Sequence, residues 1–180
     1  DKKIYISKNK KNILKIPFLS KNFSNSKILI FFRNPVYQCS SLLNQHLNFI
    51  NLQTKNKFIL DYMNYIGHHE FGKNLKRFKL GNYEENNPEL INFWIEVWTK
   101  YYQYVLDNFN YDNVELICYE DLIKKKSEYL KTKLKNEFYN NNLDLNLYDN
   151  IDYLNKIKKV EKLNSNFKNA LKIYEELRSK

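Results

Sequence analysis

The sequence predicts an α/β fold with a small parallel sheet flanked by helices, and three observations carry the prediction. Two five-residue runs, Ile28-Leu29-Ile30-Phe31-Phe32 and Val114-Glu115-Leu116-Ile117-Cys118, have the length and apolar content of buried strands. The segment between them, 33–113, is far too long for a hairpin and is rich in apolar residues at helical spacing. Long helical crossovers between apolar strands are what parallel pairing requires, because successive parallel strands must both start at the same end of the sheet.

Each element can be justified in order. Ile4-Tyr5-Ile6 reads as a short first strand. Over 12–23, Ile13, Leu14, Ile16, Leu19 and Phe23 recur at near-helical spacing, and Pro17 predicts that this helix is short or broken. The run 28–32 is bounded by Ser24-Asn25-Ser26 and Arg33-Asn34-Pro35, so a strand gives way at once to a helix whose first turn suits Pro35. That helix, over 35–52, carries a stripe of Val36, Cys39, Leu42, Leu43, Leu47 and Ile50. A second helix is predicted over 56–66.

Gly67, Gly72 and Gly81 mark 67–81 as irregular. A long helix over 88–109 would face the core with Leu90, Phe93, Trp94, Val97, Trp98, Tyr101, Val105 and Leu106. After the strand at 114–118, helices are predicted over 121–139 and 165–178, with the Asn-rich stretch between them as a surface loop. There is no internal repeat and no linker, so 1–180 reads as a single domain.

Composition narrows the function classes. With 43% hydrophobic and 16% aromatic residues the chain can build a core, which excludes a disordered tail. Its longest uninterrupted apolar run, 28–32, is too short to cross a bilayer, so no membrane segment is expected. Two cysteines, Cys39 and Cys118, cannot form a disulfide framework, and a reducing compartment is the default. No basic-then-apolar signal segment opens the chain, which makes cytoplasmic residence the expectation. The chain opens on Asp1, and its first residues read as a strand arriving from elsewhere, so the sequence reads as the C-terminal portion of a longer domain. The formal net charge of +10 favours anionic partners, although Lys and Asn are abundant in every segment and much of the charge reads as compositional bias.

In open parallel sheets, ligands bind beyond the carboxyl ends of the strands. Two segments place polar groups there. In Arg33-Asn34-Pro35-Val36-Tyr37-Gln38-Cys39-Ser40-Ser41, Arg33 leaves the strand as a helix begins, and a guanidinium in that position can hold a phosphate bidentately. The helix N-terminus adds free amides, less the one Pro35 lacks, and Ser41 offers a hydroxyl two turns in. In Tyr119-Glu120-Asp121-Leu122, Tyr119 ends a strand with a ring that can stack on a base, and the two carboxylates suit the start of a helix. Each residue also has an ordinary role open to it: an ion pair for Arg33, a helix face for Ser41, the core for Tyr119, a cap for Asp121.

Taken in order, these segments resemble a family. Lys27-Ile28-Leu29-Ile30-Phe31-Phe32-Arg33-Asn34-Pro35, with Ser41 eight residues after Arg33, is similar to the 3′-phosphate-binding motif of sulfotransferases that use 3′-phosphoadenosine 5′-phosphosulfate (PAPS). Tyr119-Glu120-Asp121-Leu122 resembles the YED element of that family. Tyr62-Met63-Asn64-Tyr65-Ile66-Gly67-His68-His69-Glu70-Phe71-Gly72, together with Ile6-Ser7-Lys8-Asn9 and Ala170-Leu171-Lys172-Ile173-Tyr174, resembles a bacterial subgroup, so the likeness runs along nearly the whole chain.

The resemblance implies an α/β P-loop NTPase-like sulfotransferase fold, N-terminally incomplete, with PAPS as co-substrate and no metal. It implies that Arg33 and Ser41 hold the 3′-phosphate, that Tyr119 lies near the adenine, and that Lys8 lies near the transferring sulfuryl group. It also implies a strand–loop–helix gripping the 5′-phosphosulfate, which Gly67, Gly72 and Gly81 are in the wrong region to supply.

Sulfuryl transfer needs a base for the acceptor hydroxyl or amine, and the sequence offers His46, His68, His69 and Glu70, of which His68 and His69 are taken as catalytic candidates. His68-His69-Glu70 lacks the His-Glu-x-x-His spacing of a zinc protease. Two other readings stand beside the enzyme. One is an inactive remnant. The other is a basic nucleotide- or nucleic-acid-binding module, against which the aromatic residues fall at core spacing and no nucleic-acid motif appears. The acceptor class and the oligomeric state are not encoded in any motif.

Overall fold

The computed structural model describes residues 5–133 and 165–180 and has a mixed α/β architecture. A 3₁₀ turn, Lys10–Lys15, leads into α1 (Ile16–Asn22), followed by β1 (Ile28–Phe32), α2 (Pro35–Lys55), α3 (Lys57–Tyr65), α4 (Ile91–Asn108), β2 (Val114–Cys118), α5 (Tyr119–Lys133) and α6 (Ser165–Arg178). Among the described residues the sheet has two strands, paired in parallel with Ile28 opposite Val114 and Phe32 opposite Cys118. The expected helix over 121–139 lies partly, and the expected Asn-rich loop wholly, outside the described residues.

Local chemistry explains where the helices start. Pro17 falls in the first turn of α1, where its missing N–H breaks no ladder bond, so the chain takes a 3₁₀ turn and then a short α-helix. Asn34 caps α2 by accepting from the Val36 amide at 3.0 Å, with Pro35 as first helical residue. Asn56 splits α2 from α3: its extended backbone donates back to Leu52, while its side chain caps the Phe58 amide at 3.0 Å. A helix opening at Pro88 was expected, whereas α4 opens at Ile91. The Asn87 side chain takes the Glu89 amide, and the Pro88 carbonyl takes the Trp94 indole N–H, which together hold 87–90 as a turn.

The core lies where α4 meets α2 and α6. Trp98, Val105, Tyr102, Phe93 and Trp94 of α4 are buried there with Cys39 of α2 and Ala170, Ile173 and Leu177 of α6. Leu90, expected to face the core, is instead 47% exposed, because it precedes the helix. The first strand expected at 4–6 is not formed at its described positions: Tyr5 and Ile6 have no regular structure and are 89% and 86% exposed. β1 was expected to be buried on both faces. It buries Ile30 and Phe32 but leaves Leu29 and Phe31 exposed, whereas Ile117, which pairs with Phe31 on the same face, is fully buried, so that face is covered over β2 and open over β1.

No described helix is long and apolar enough to cross a membrane.

Candidate functional site

The register of the sheet builds the site. Because Phe32 pairs with Cys118, the residues that follow, Arg33 and Tyr119, leave the sheet side by side at its carboxyl edge. The Arg33 guanidinium lies 5.2 Å from the Tyr119 ring centroid and 5.7 Å from that of Tyr37, one turn into α2. Contacts of this kind hold a cation by the ring quadrupole without neutralising it. Arg33 forms no ion pair among the described residues, and its Nε is buried with no hydrogen-bond partner. An orphaned guanidinium N–H beside two tyrosine rings fits an anion that would complete its hydrogen bonding.

Tyr119 is 37% exposed, so its ring is available beside the guanidinium. It is the first residue of α5, whereas the sequence reading placed it at the end of the strand. The chain passes from Cys118 directly into helix, and Glu120 and Asp121 therefore fall in the first turn. Asp121 does not cap that turn from outside; it accepts from the Arg178 guanidinium at 3.1 and 3.2 Å. Ser41 is exposed on α2, four residues after Tyr37 and hence on the helix face that Tyr37 presents to Arg33. Among the described residues no hydrogen bond joins Ser41 to Arg33 or Tyr119. Arg33 and Tyr119 are thus brought together, with Ser41 one turn along the same face.

The other sequence candidates gather elsewhere. Lys8 is exposed in the irregular segment before the 3₁₀ turn and has no polar partner among the described residues. His68, half exposed, stacks on Phe49 and has Nε2 3.7 Å from Glu70 Oε2; that same oxygen receives Lys10 Nζ at 2.6 Å. His69 has a buried Nδ1 without a partner, and its carbonyl accepts the Lys76 amide. No hydrogen bond, ion pair or ring contact joins Lys8, His68 or His69 to Arg33, Ser41 or Tyr119.

His46, a candidate base by sequence, is buried on α2 with its ring against Trp94. Its Nδ1 accepts the Gly72 amide at 3.1 Å, so the neutral ring carries its proton on Nε2, which is buried and unpartnered. Burial lowers its pKa, opposed by the nearby Glu89 carboxylate. Two turns on, Gln53 Oε1 accepts the Lys73 amide at 2.8 Å. Both side chains anchor the irregular segment to α2. Gly72 is required at the contact: its φ is +82°, and a Cβ would stand 2.3 Å from Gln53 Oε1. An open cleft of about 600 Å³ beside this anchor is lined by Ile50, Leu75, Lys73 and Glu89.

Tyr37 and Glu120 escaped the sequence reading as site residues. Tyr37 could have been found by its spacing, four residues from both Arg33 and Ser41. Glu120, read there only as a helix-start carboxylate, accepts the Asn34 amide at 2.9 Å across the two strand ends, a contact that only the register reveals. Among the described residues no group of three or more His, Cys, Asp or Glu side chains could hold a metal ion. Comparison of the chain with protein-family models, with curated proteins and with solved structures finds no match.

Proposed function

We propose that the Arg33–Tyr119 edge is the 3′-phosphate half of a PAPS site, and that the chain is the corresponding part of a sulfotransferase with a P-loop NTPase-like α/β fold. The observation that carries the reading is the unpaired Arg33 guanidinium held between two tyrosine rings at the carboxyl edge of a parallel sheet. A ribose 3′-phosphate supplies the oxygens this guanidinium lacks. The Tyr119 ring supplies a face for adenine, and Ser41 a further donor along α2.

PAPS would bring the sulfuryl group itself, and transfer would proceed by in-line displacement to a hydroxyl or amine acceptor. His68 is the better placed of the two histidine candidates for the base, because its ring is half exposed with a carboxylate close by, while the Nδ1 of His69 is buried. Lys8, exposed and without a polar partner among the described residues, is the cation near the sulfuryl group. The 5′-phosphosulfate grip lies outside the residues assigned here: all three glycines sit in the irregular 67–81 segment.

That last point favours a second reading, a nucleotide-binding domain without transfer activity. Thermal unfolding in the presence of 3′,5′-ADP tests the shared step. The expected result is a raised midpoint that Arg33→Ala abolishes; an unchanged midpoint at millimolar nucleotide overturns both readings. Sulfate transfer from PAPS by the protein then separates enzyme from binder. A steep salt dependence of binding to plain oligonucleotides, with no response to 3′,5′-ADP, would point instead to a nucleic-acid module.

A further inference from the structure

The Glu120 carboxylate reaches every element around the Arg33–Tyr119 edge. Its Oε1 accepts from the amide of Asn34, the residue after Arg33. Its Oε2 accepts from the Tyr174 hydroxyl at 3.2 Å and from the Cys118 thiol at 3.3 Å. Tyr174 belongs to α6, is buried, and meets the Phe32 ring edge-on at 5.9 Å. One side chain therefore ties the turn after β1, the last residue of β2 and the C-terminal helix. An ionised carboxylate is a pure acceptor with room for all three donors, and such bonds are stronger than neutral ones. A carboxylate next to an anion site would ordinarily compete for the arginine. Glu120 makes no ion pair with Arg33, since both its oxygens are engaged by other donors.

We propose that Glu120 is the positioning residue of this site: by holding the Asn34 amide it fixes the Arg33 guanidinium against Tyr119, and through Tyr174 it makes α6 part of the site's support. The proposal rests on the nucleotide reading above for its ligand. The neighbouring Asp121 does not share the role, being paired with Arg178.

Glu120→Gln keeps the volume but replaces one acceptor oxygen with an NH₂ group that faces donors. Tyr174→Phe removes a single donor, and Glu120→Asp keeps the charge on a shorter stem. The test titrates 3′,5′-ADP and 5′-AMP into each variant and follows the Arg33 Nε–H resonance by NMR. Glu120→Gln is expected to weaken 3′,5′-ADP roughly tenfold while changing 5′-AMP by less than about twofold, and to move the Arg33 resonance. Tyr174→Phe is expected to give a smaller change of the same kind, and Glu120→Asp to recover part of the loss.

A folded Glu120→Gln variant with unchanged affinity and an unmoved Arg33 resonance overturns the proposal, as does equal weakening of both nucleotides. Should Glu120→Gln fail to fold, Tyr174→Phe decides by the same readings. If the unmodified protein binds no 3′,5′-ADP, the nucleotide reading fails. The Arg33 resonance alone then decides positioning: displaced in the variants it stands, unmoved it falls.

Discussion

Two polar regions flank α2, and they differ in whether their charged and polar groups are occupied. At its N-terminal end, Arg33 lies beside the Tyr37 and Tyr119 rings, without a carboxylate partner among the described residues. Nearer its C-terminal end, His46 and Gln53 hold the backbone of Gly72 and Lys73, and Glu70 is taken by Lys10 and lies beside His68. The first region leaves the Arg33 Nε–H without a partner among the described residues. The second uses most of its polar groups to anchor an irregular segment, although His46 Nε2 and His69 Nδ1 are buried there without a partner among the described residues. A histidine in the sequence is thus a weaker pointer to a site than an arginine at a strand end, because the fold can absorb histidines internally, as it does His46.

The comparison breaks most sharply under Arg33→Ala. On the proposed reading, loss of the guanidinium would remove two charge-assisted bonds to a phosphate, about 3 kcal/mol, so 3′,5′-ADP affinity should fall roughly a hundredfold by calorimetry with little change in thermal stability. Gly72→Ala should do the reverse. It forces a side chain into a left-handed backbone and onto Gln53, at a cost of about 2 kcal/mol in denaturant unfolding, with nucleotide affinity unchanged. Tyr119→Leu sharpens the first region: stacking on one base is worth about 1–3 kcal/mol, and affinity for 3′,5′-ADP should weaken accordingly. Ser41→Ala should cost about 1 kcal/mol of the same affinity, and no loss would remove Ser41 from the site.

The smallest effect concerns pH. The pKa of His46 lies below its unfolded value of 6.5, so the unfolded chain takes up this proton first as pH falls. Its contribution is therefore complete above pH 6.5 and is lost as pH drops through that value toward the folded pKa. Unfolding free energies measured across that window should slope downward toward acid, less steeply in His46→Gln.

Much of this was legible in the chain itself. The strands at 28–32 and 114–118 stand where their apolar runs put them, and Pro35 marked the start of α2, because apolar runs and first-turn prolines are local chemistry. The pairing of Arg33 with Tyr119 was legible only as two strand ends, since register depends on partners distant in sequence. The anchoring roles of His46 and Gln53 on α2 were not legible, because only tertiary structure shows the backbone amides they satisfy. Tyr5 and Ile6 show the converse error: an alternation of strand-forming residues predicts a strand, but in the described structure no neighbouring strand takes up its hydrogen bonds.

We propose that the Arg33–Tyr119 edge recognises a 3′-phosphate on an adenine nucleotide. Parallel calorimetric titrations of the protein with 3′,5′-ADP and 5′-AMP test it most directly, since the two ligands differ only in that group. The expected result is that 3′,5′-ADP binds roughly a hundredfold more tightly, with the difference erased in Arg33→Ala. Equal affinities, or a preference that survives loss of Arg33, would contradict it.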